Sequence, residues 1–433
     1  MRNSGIEWIG DVPALWEFKR LKYTSTLAGR IGWQGLTSEE YRTEGVHLVT
    51  GTDFKDGRID WDSCVRVSEA RWAEATQVQL QEGDLLITKD GTVGKVARCI
   101  DLPGKASLNS GVMVIRHKVP MSTYFLYWVL QSPVFSGWFS DVNAGASTIS
   151  HLYQADFYNF GFFVPPTVRE QEQVASWLDV ETAKIDHAMS LLRRELETME
   201  QLKKSIIYQA VTKGLDPAVP MKPSGVEWIG DIPERWRTTR IKYIAPAWNG
   251  LTYDPADVSD TGTPVLRSGN IQNGELDLQD LVRVVGSIPE KSLARSGDIL
   301  ICSRNGSRNL IGKNALIHQD GYAFGAFMMI ARPTVNSQYF YYLLNSGIFD
   351  FYLPTYLTST VNQLTGANFG NMIVPITDDP DEQLAIVEEL NTKCKALDVA
   401  MEKKCAQLSL LRKKRDSVIF EYVTGKRRVS EVA

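Results

Sequence analysis

SGIEWIGDVPALWEFKRLKY (Ser4–Tyr23) and SGVEWIGDIPERWRTTRIKY (Ser224–Tyr243) align without a gap, 220 residues apart. Trp8 matches Trp228, Pro13 matches Pro233, Trp16 matches Trp236, and Lys22-Tyr23 match Lys242-Tyr243. Further matches follow in the same order. GDLLITKDGTVGK at Gly83 returns as GDILICSRNGSRNLIGK at Gly297, and STYFLYWVLQS at Ser122 as SQYFYYLLNS at Ser337. STISHLYQADFYN at Ser147 returns as STVNQLTGANFGN at Ser359, VPPTVREQEQV at Val164 as VPITDDPDEQL at Val374, and SIIYQAVT at Ser205 as SVIFEYVT at Ser417. The period far exceeds the roughly 20–50 residues of a solenoid repeat, so the chain is predicted to hold one large unit written twice. The Pro- and Gly-rich GLDPAVPMKPSG, beginning at Gly214, forms the seam.

Each unit changes texture along its length. Its first part carries short β-rich runs such as Val46–Val49, broken by Asp-Gly and Asn-Gly turns at Asp56-Gly57 and Asn273-Gly274, with an aromatic helix over Thr123–Leu130. That pattern predicts a mixed α+β domain. The second part, from Val168 to Thr212 and again from Glu382 to Thr424, contains neither Gly nor Pro. Each segment predicts a helix of about 45 residues, near 65 Å. Apolar residues fall on a three-four ladder through Ile185, Met189, Leu192, Leu196 and Met199, and again through Leu397, Met401, Leu408 and Leu411. Such ladders predict coiled-coil pairing, with Thr182, Lys203, Lys404 and Arg415 interrupting the seams. Two like helices in one chain pair most simply antiparallel, about a pseudo-two-fold axis. The expected class is α+β: two similar mixed α/β domains separated by two long antiparallel coiled-coil helices. The expected boundaries are 1–166 and 224–378 for the domains, 167–213 and 379–426 for the helices, and 214–223 for the linker.

Composition narrows the function. Of 433 residues 43% are apolar and 23% charged, the balance of a globular protein. No apolar run approaches the roughly 18 residues of a membrane span, and the first residues lack the apolar core of a signal peptide. Five scattered cysteines, without a Cys-x-x-Cys pair, predict a reduced intracellular protein without a zinc or disulfide framework. No phosphate-binding P-loop, His-Glu-x-x-His helix, Gly-x-Ser-x-Gly elbow or dinucleotide fingerprint is present. These absences argue against ATPase and zinc-hydrolase classes, and no metal or cofactor is expected of the chain.

The net charge of −4 is not that of a basic nucleic-acid binder, but charge is polarised. Leu36–Asp84 holds eleven acids against five bases, whereas Leu85–Ser140 holds Lys89, Lys95, Arg98, Lys105, Arg116 and Lys118 against two acids. The matching stretch Ile299–Phe349 carries Arg304, Arg308, Lys313 and Arg332. A basic face suits phosphate contacts, and Arg or Asn can pair bidentately with guanine or adenine edges. Lys89, Lys95, Arg98, Arg304, Asn305, Arg308, Asn309 and Lys313 are thus the candidate DNA contacts. A solvated-turn role competes at every one of them. The aromatic strings at Tyr124 and Tyr339 read as core helix, and the Trp8/Trp16 and Trp228/Trp236 pairs as an entry clasp.

The doubled EWIGD(V/I)P opening, GDLLI with GTVGK, STISHLYQADFYNF, and VPP with EQEQV leading into a long helix resemble the specificity subunits of type I restriction–modification systems. The resemblance covers both halves; one departure is VPITDDPDEQ at Val374, which has one Pro, Pro375, where the family often shows PLPP before the EQ. It implies two target-recognition domains, each reading one half of a bipartite, asymmetric double-stranded DNA target. It implies a chain with no catalysis of its own, whose helical spacer sets the unread gap and docks two DNA adenine methyltransferase subunits, joined by ATP-dependent restriction/translocase subunits. The competing expectations are a protein-assembly scaffold without DNA specificity and an unrecognised nuclease.

Overall fold

A computed structural model describes residues 1–30, 35–144, 151–357 and 362–429. The opening residues of the repeated stretches at Ser147 and Ser359 lie outside the described residues. The chain forms two compact units, Met1–Arg193 with Ala406–Ala433, and Arg194–Cys405.

In the first unit the main sheet runs, in spatial order, Ser25–Gly29, Val112–His117, Leu85–Thr88, Val96–Arg98, Arg58–Ile59 and Phe54–Lys55. Its central strands are buried on both faces, which explains why they read as continuous apolar runs. Alternate residues part company. Leu85, Ile87, Met113 and Ile115 face a core shared with the helices Thr123–Leu130 and Pro133–Val142. Leu86, Val112 and Val114 face a second core beneath the sheet of Ala106–Leu108, Val46–Val49 and Val65–Val67.

The second unit repeats this logic with a smaller main sheet, Ala247–Asn249, Met328–Ala331, Ile299–Cys302 and Asn314–Leu316. Ile299, Ile301, Met329 and Ala331 face the helical core, and Leu300, Cys302, Met328 and Ile330 the other. The Asn-Gly hairpin Ile271–Leu276 stays a separate pair here, whereas its counterpart Phe54–Ile59 joins the main sheet through Arg58. Both turns need their glycines. Gly57 and Gly274 have φ of +73° and +81°, and a Cβ on either would collide with the hydroxyl of Tyr127 or Tyr341.

The long helices run Val168–Lys213 and Pro380–Val423. Glycines in the left-handed conformation, Gly214 and Gly425, end them at φ of +76° and +69°. Within the first unit their segments are antiparallel. Trp177 stacks on Tyr422 with ring centroids 3.8 Å apart, and Arg415 Nε donates to Asp186 Oδ1 at 2.9 Å. Within the second, Lys404 Nζ donates to Glu195 Oε2 at 2.6 Å and Lys203 Nζ to Asp398 Oδ1 at 2.6 Å. Three of the four residues interrupting the apolar ladder are therefore partners in ion pairs between helices. The fourth, Thr182, turns its hydroxyl to the Leu178 carbonyl of its own helix at 2.6 Å. On the ladder Ile185 and Met189 are buried, while Leu192, Leu196, Met199, Leu397, Met401, Leu408 and Leu411 are half-buried.

The doubled opening stretch now has a physical role. In the first unit Trp16 shares a core with Ile419, Tyr422 and Val423 from the end of the second long helix. In the second, Trp236 shares one with Ile207, Ala210 and Val211 from the end of the first. Each stretch receives a helix end. The start of each long helix is fixed by a second repeated device, the buried glutamines Gln171 and Gln383. Gln171 accepts from Ser122 N at 2.9 Å and donates to the Pro165 carbonyl at 3.1 Å. Gln383 does the same with Asn336 N at 3.0 Å and Thr377 O at 2.9 Å. Both side chains thus meet the demand that buried amides be hydrogen-bonded.

Candidate nucleic-acid interface

In each unit the loop that follows the central strand, Leu85–Thr88 or Ile299–Cys302, carries most of the candidate contacts. The first loop is short. Thr88 Oγ1 donates to the Thr92 carbonyl at 2.6 Å and accepts from Lys95 N at 2.9 Å, which closes the turn. Lys95 is exposed and Lys89 half-buried. His151 forms an ion pair with Asp90 in the same loop when protonated.

The second loop is longer and more internally bonded. Ser303 Oγ donates to the Phe327 carbonyl at 2.9 Å, and Leu364 N donates to the Ser303 carbonyl at 2.7 Å. Asn305 Oδ1 accepts from Ser307 N at 2.9 Å, while its amide donates to Ser268 Oγ at 3.3 Å. This local bonding tightens the loop and places Arg304, Arg308 and Asn309 at the surface. Arg304 lies over the Phe327 ring, 5.0 Å from its centroid, although Phe327 is itself 58% exposed. Lys313 follows Gly312 and is half-buried. Among the described residues no ion pair engages Lys89, Lys95, Arg304, Arg308 or Lys313.

The two loops close on one device. Gly94 and Gly312, each before its lysine, have φ of +85° and +87°, and a Cβ there would lie 2.9 Å from Phe135 or Phe349. The glycine sets the loop's end against an aromatic ring of the helix beneath.

Several bases counted in the sequence-level polarity are used internally, which corrects that reading. Arg116 makes a bidentate pair with Asp84 at 2.7 and 2.6 Å, and Arg332 an equivalent pair with Asp298 at 2.7 Å on both arms. These pairs raise both guanidinium pKa values, chiefly through the hydrogen bond to the carboxylate. Lys105 pairs with Glu69, and Lys118 donates to the Lys22 carbonyl at 3.1 Å. Arg98 is not in either loop. Its guanidinium lies 4.0 Å from the Tyr124 ring centroid and 5.0 Å from that of Tyr127, with Asp179 of the long helix 3.8 Å away. The structure therefore groups Lys89 with Lys95, and Arg304, Asn305, Arg308 and Asn309 with Lys313, and sets Arg98 apart.

Sequence spacing did not point to Phe327, Ser268 or Asn362. Asn362 donates to the Gly306 carbonyl at 3.1 Å and so braces the second loop from a distant segment. Nor does the site contain a reactive thiol. Burial pushes Cys64 and Cys99 up to about 12 and raises Cys302, which keeps all three protonated. Among the described residues no group of three His, Cys, Asp or Glu side chains gathers to hold a metal ion, and no helix is long and apolar enough to cross a membrane.

Residues 39–197 match the family model of the type I restriction modification DNA specificity domain. The type I restriction enzyme MjaVIII specificity subunit of Methanocaldococcus jannaschii is 24% identical over 377 residues, covering 82% of each chain. The StySPI specificity subunit of Salmonella potsdam is 27% identical over 207 residues, and the EcoKI specificity subunit of Escherichia coli 27% over 206 residues. These last two alignments span 44% of the length of those relatives. A solved structure from work on complex assembly and conformational transition of the type I R-M system superposes over 96% of this chain and 100% of its own. Its TM-score is 0.68 at 16% identity, so the likeness is one of fold.

Proposed function

We propose that the chain is a specificity subunit of a type I restriction–modification system and selects a bipartite, asymmetric double-stranded DNA target, a reading supported by the family-model match over residues 39–197 and by the similarity to the MjaVIII specificity subunit. Each mixed α/β domain, about 1–166 and 224–378, reads one half-target. The paired long helices set the unread gap. Two DNA adenine methyltransferase subunits dock on the chain and ATP-dependent restriction/translocase subunits join them. Methylation, ATP hydrolysis and cleavage belong to those partners, and this chain contributes none of that chemistry.

The observation that carries the proposal is the contrast between frame and loop. The two units share their core alternation, turn glycines, Arg–Asp pairs and helix-fixing glutamines. They differ in the loop after the central strand, where one offers Lys89 and Lys95 and the other Arg304, Asn305, Arg308 and Asn309. A common frame with unlike polar loops is what reading two unlike sequences requires. Lysines contribute phosphate attraction, and the Arg/Asn loop adds donors and acceptors suited to base edges. The net charge of −4 leaves part of the phosphate clamp to the partners.

The test is a genome-wide N6-methyladenine map of the host with and without this gene. Loss of methylation at one gapped, asymmetric motif is expected. An unchanged map from an expressed, assembled system overturns the proposal.

A further inference from the structure

The first unit contains a cavity of about 780 Å³ between the Asp56–Arg58 turn, the helix Thr123–Leu130 and the long-helix segments of the same unit. Four arginines line it against three aspartates. The charges are partly matched: Arg415 holds Asp186 at 2.9 Å, and Arg98 approaches Asp179 at 3.8 Å through one terminal nitrogen. Two donors on the wall are not matched: Arg98 Nε and Trp128 Nε1 are buried and make no hydrogen bond among the described residues, whereas the Gln131 side chain bonds to the Tyr127 hydroxyl. Trp128 is only 3% exposed, so its indole N–H cannot turn to bulk solvent. Buried donors are ordinarily hydrogen-bonded, so two open ones on the wall of one cavity call for an occupant.

The duplication supplies an internal control. Arg98 pairs with Leu85 in its sheet as Leu316 pairs with Ile299, so Leu316 is the counterpart of Arg98. Tyr127 and Tyr341 both abut turn glycines, which makes Tyr342 the counterpart of Trp128 and Asn345 that of Gln131. There the polar groups are satisfied. The Tyr342 hydroxyl donates to Asn391 Oδ1 at 2.7 Å, and Asn345 Nδ2 donates to Asn314 Oδ1 at 2.9 Å and the Tyr341 carbonyl at 2.8 Å. The fold at this place therefore does not require open donors. They belong to the first unit alone.

We propose that this cavity binds a small organic anion, a carboxylate or phosphate monoester. Its oxygens accept from Arg98 Nε and Trp128 Nε1, and its body lies against Tyr127 and Met189, which also line the cavity. The excess of one positive charge favours an anion, and the indole and guanidinium N–H groups can only donate. The site is distinct from both loops assigned to DNA and does not depend on that assignment.

The experiment is calorimetric titration of the full chain with citrate and with adenosine monophosphate as probes. One saturable site per chain is expected for at least one probe. Arg98→Leu, which copies the second unit, and Trp128→Phe, which removes only the N–H donor, each weaken it about tenfold or more, the scale of a lost hydrogen bond to a charged group. Circular dichroism identifies a variant that fails to fold, and Trp128→Phe then carries the test by itself. No saturable binding of either probe, two equivalent sites per chain, or binding unchanged in a folded variant overturns the proposal.

Discussion

Lys203 Nζ sits 2.6 and 2.8 Å from the two carboxylate oxygens of Asp398, so a lysine that breaks the apolar ladder of one long helix is held by an acid on the other. Both side chains are partly exposed, at 29% and 46%, so the pair belongs with surface ion pairs rather than buried ones. A double-mutant cycle with Lys203→Ala and Asp398→Ala should give a coupling of about 0.2–1 kcal/mol that shrinks as salt rises. Exchanging the charges, Lys203→Asp with Asp398→Lys, should recover most of the stability lost by either reversal alone. Urea unfolding at low and high salt measures both. A coupling indistinguishable from zero at low salt would show that the pair is geometric only.

The internal Arg–Asp pairs should behave differently. Asp84 is 5% exposed and Arg116 29%. Arg116→Ala leaves a desolvated carboxylate unpaired, and a loss on the order of 2–4 kcal/mol is expected, somewhat below a fully buried pair because the arginine is partly wet. Arg332→Ala should match it, since Asp298 is 2% exposed. Thermal unfolding would show the two variants falling together, while Arg308→Ala on the loop leaves the midpoint unchanged.

Loop variants should separate reading from folding. Arg304→Ala, Asn305→Ala and Arg308→Ala combined should keep the fold yet abolish discrimination at one half-target, each lost base contact removing about 1–3 kcal/mol. Lys89→Ala with Lys95→Ala should instead weaken binding evenly across sequences and reduce its salt dependence. Affinities of the assembled complex for DNA with either half-target scrambled provide the measurement. Unchanged discrimination in the triple variant would remove this loop from the reading surface.

Glycine tests are sharper because a control lies in the same loop. Gly312 has φ of +87°, and an added Cβ would sit 2.9 Å from the Phe349 ring, so Gly312→Ala should cost about 1–3 kcal/mol. Gly306 has open space and no positive φ, so Gly306→Ala should be neutral or stabilising by up to about 1 kcal/mol. Equal effects of the two in a melting experiment would contradict the packing described.

Acid should destabilise the first unit through His117. Burial lowers its pKa from 6.5 to about 4, and its Nδ1 lies 3.0 Å from Ser25 Oγ while Nε2 has no partner among the described residues. A depressed histidine pKa means the unfolded chain binds the proton more readily. The stability this contributes is full above about 6.5 and is lost as pH falls towards about 4, by up to roughly 3 kcal/mol. In His117→Gln the fall between those values should be shallower, as read by denaturant midpoints across pH.

Much of this was legible because the signals are local. Absence of Gly and Pro, together with the ladder from Leu178 to Ala210, delimits the first long helix nearly to the residue. Ser122 marks the aromatic helix by capping it, its hydroxyl accepting from Phe125 N at 3.2 Å. The polar loops were visible as composition. What spacing could not show is where each charge is spent. Arg116 and Asp84 are 32 residues apart and Arg98 and Asp179 further still, and no periodicity links them. The same holds for Trp16, whose core partners Ile419 and Tyr422 come from the far end of the sequence.

That last contact has a consequence for how the protein is made. The second unit, Arg194–Cys405, is continuous in sequence, and all the chain it needs has been synthesised once Cys405 has emerged. The first unit is not, since its core includes Ile419, Tyr422 and Val423. At about 5–20 residues per second, the polypeptide up to Arg193 leaves the ribosome roughly 10–40 s before those side chains exist. The usual order of domain maturation is thereby reversed. The part translated first is completed last, and during that interval the groove meant for Tyr422 is open to chaperones or to another nascent chain.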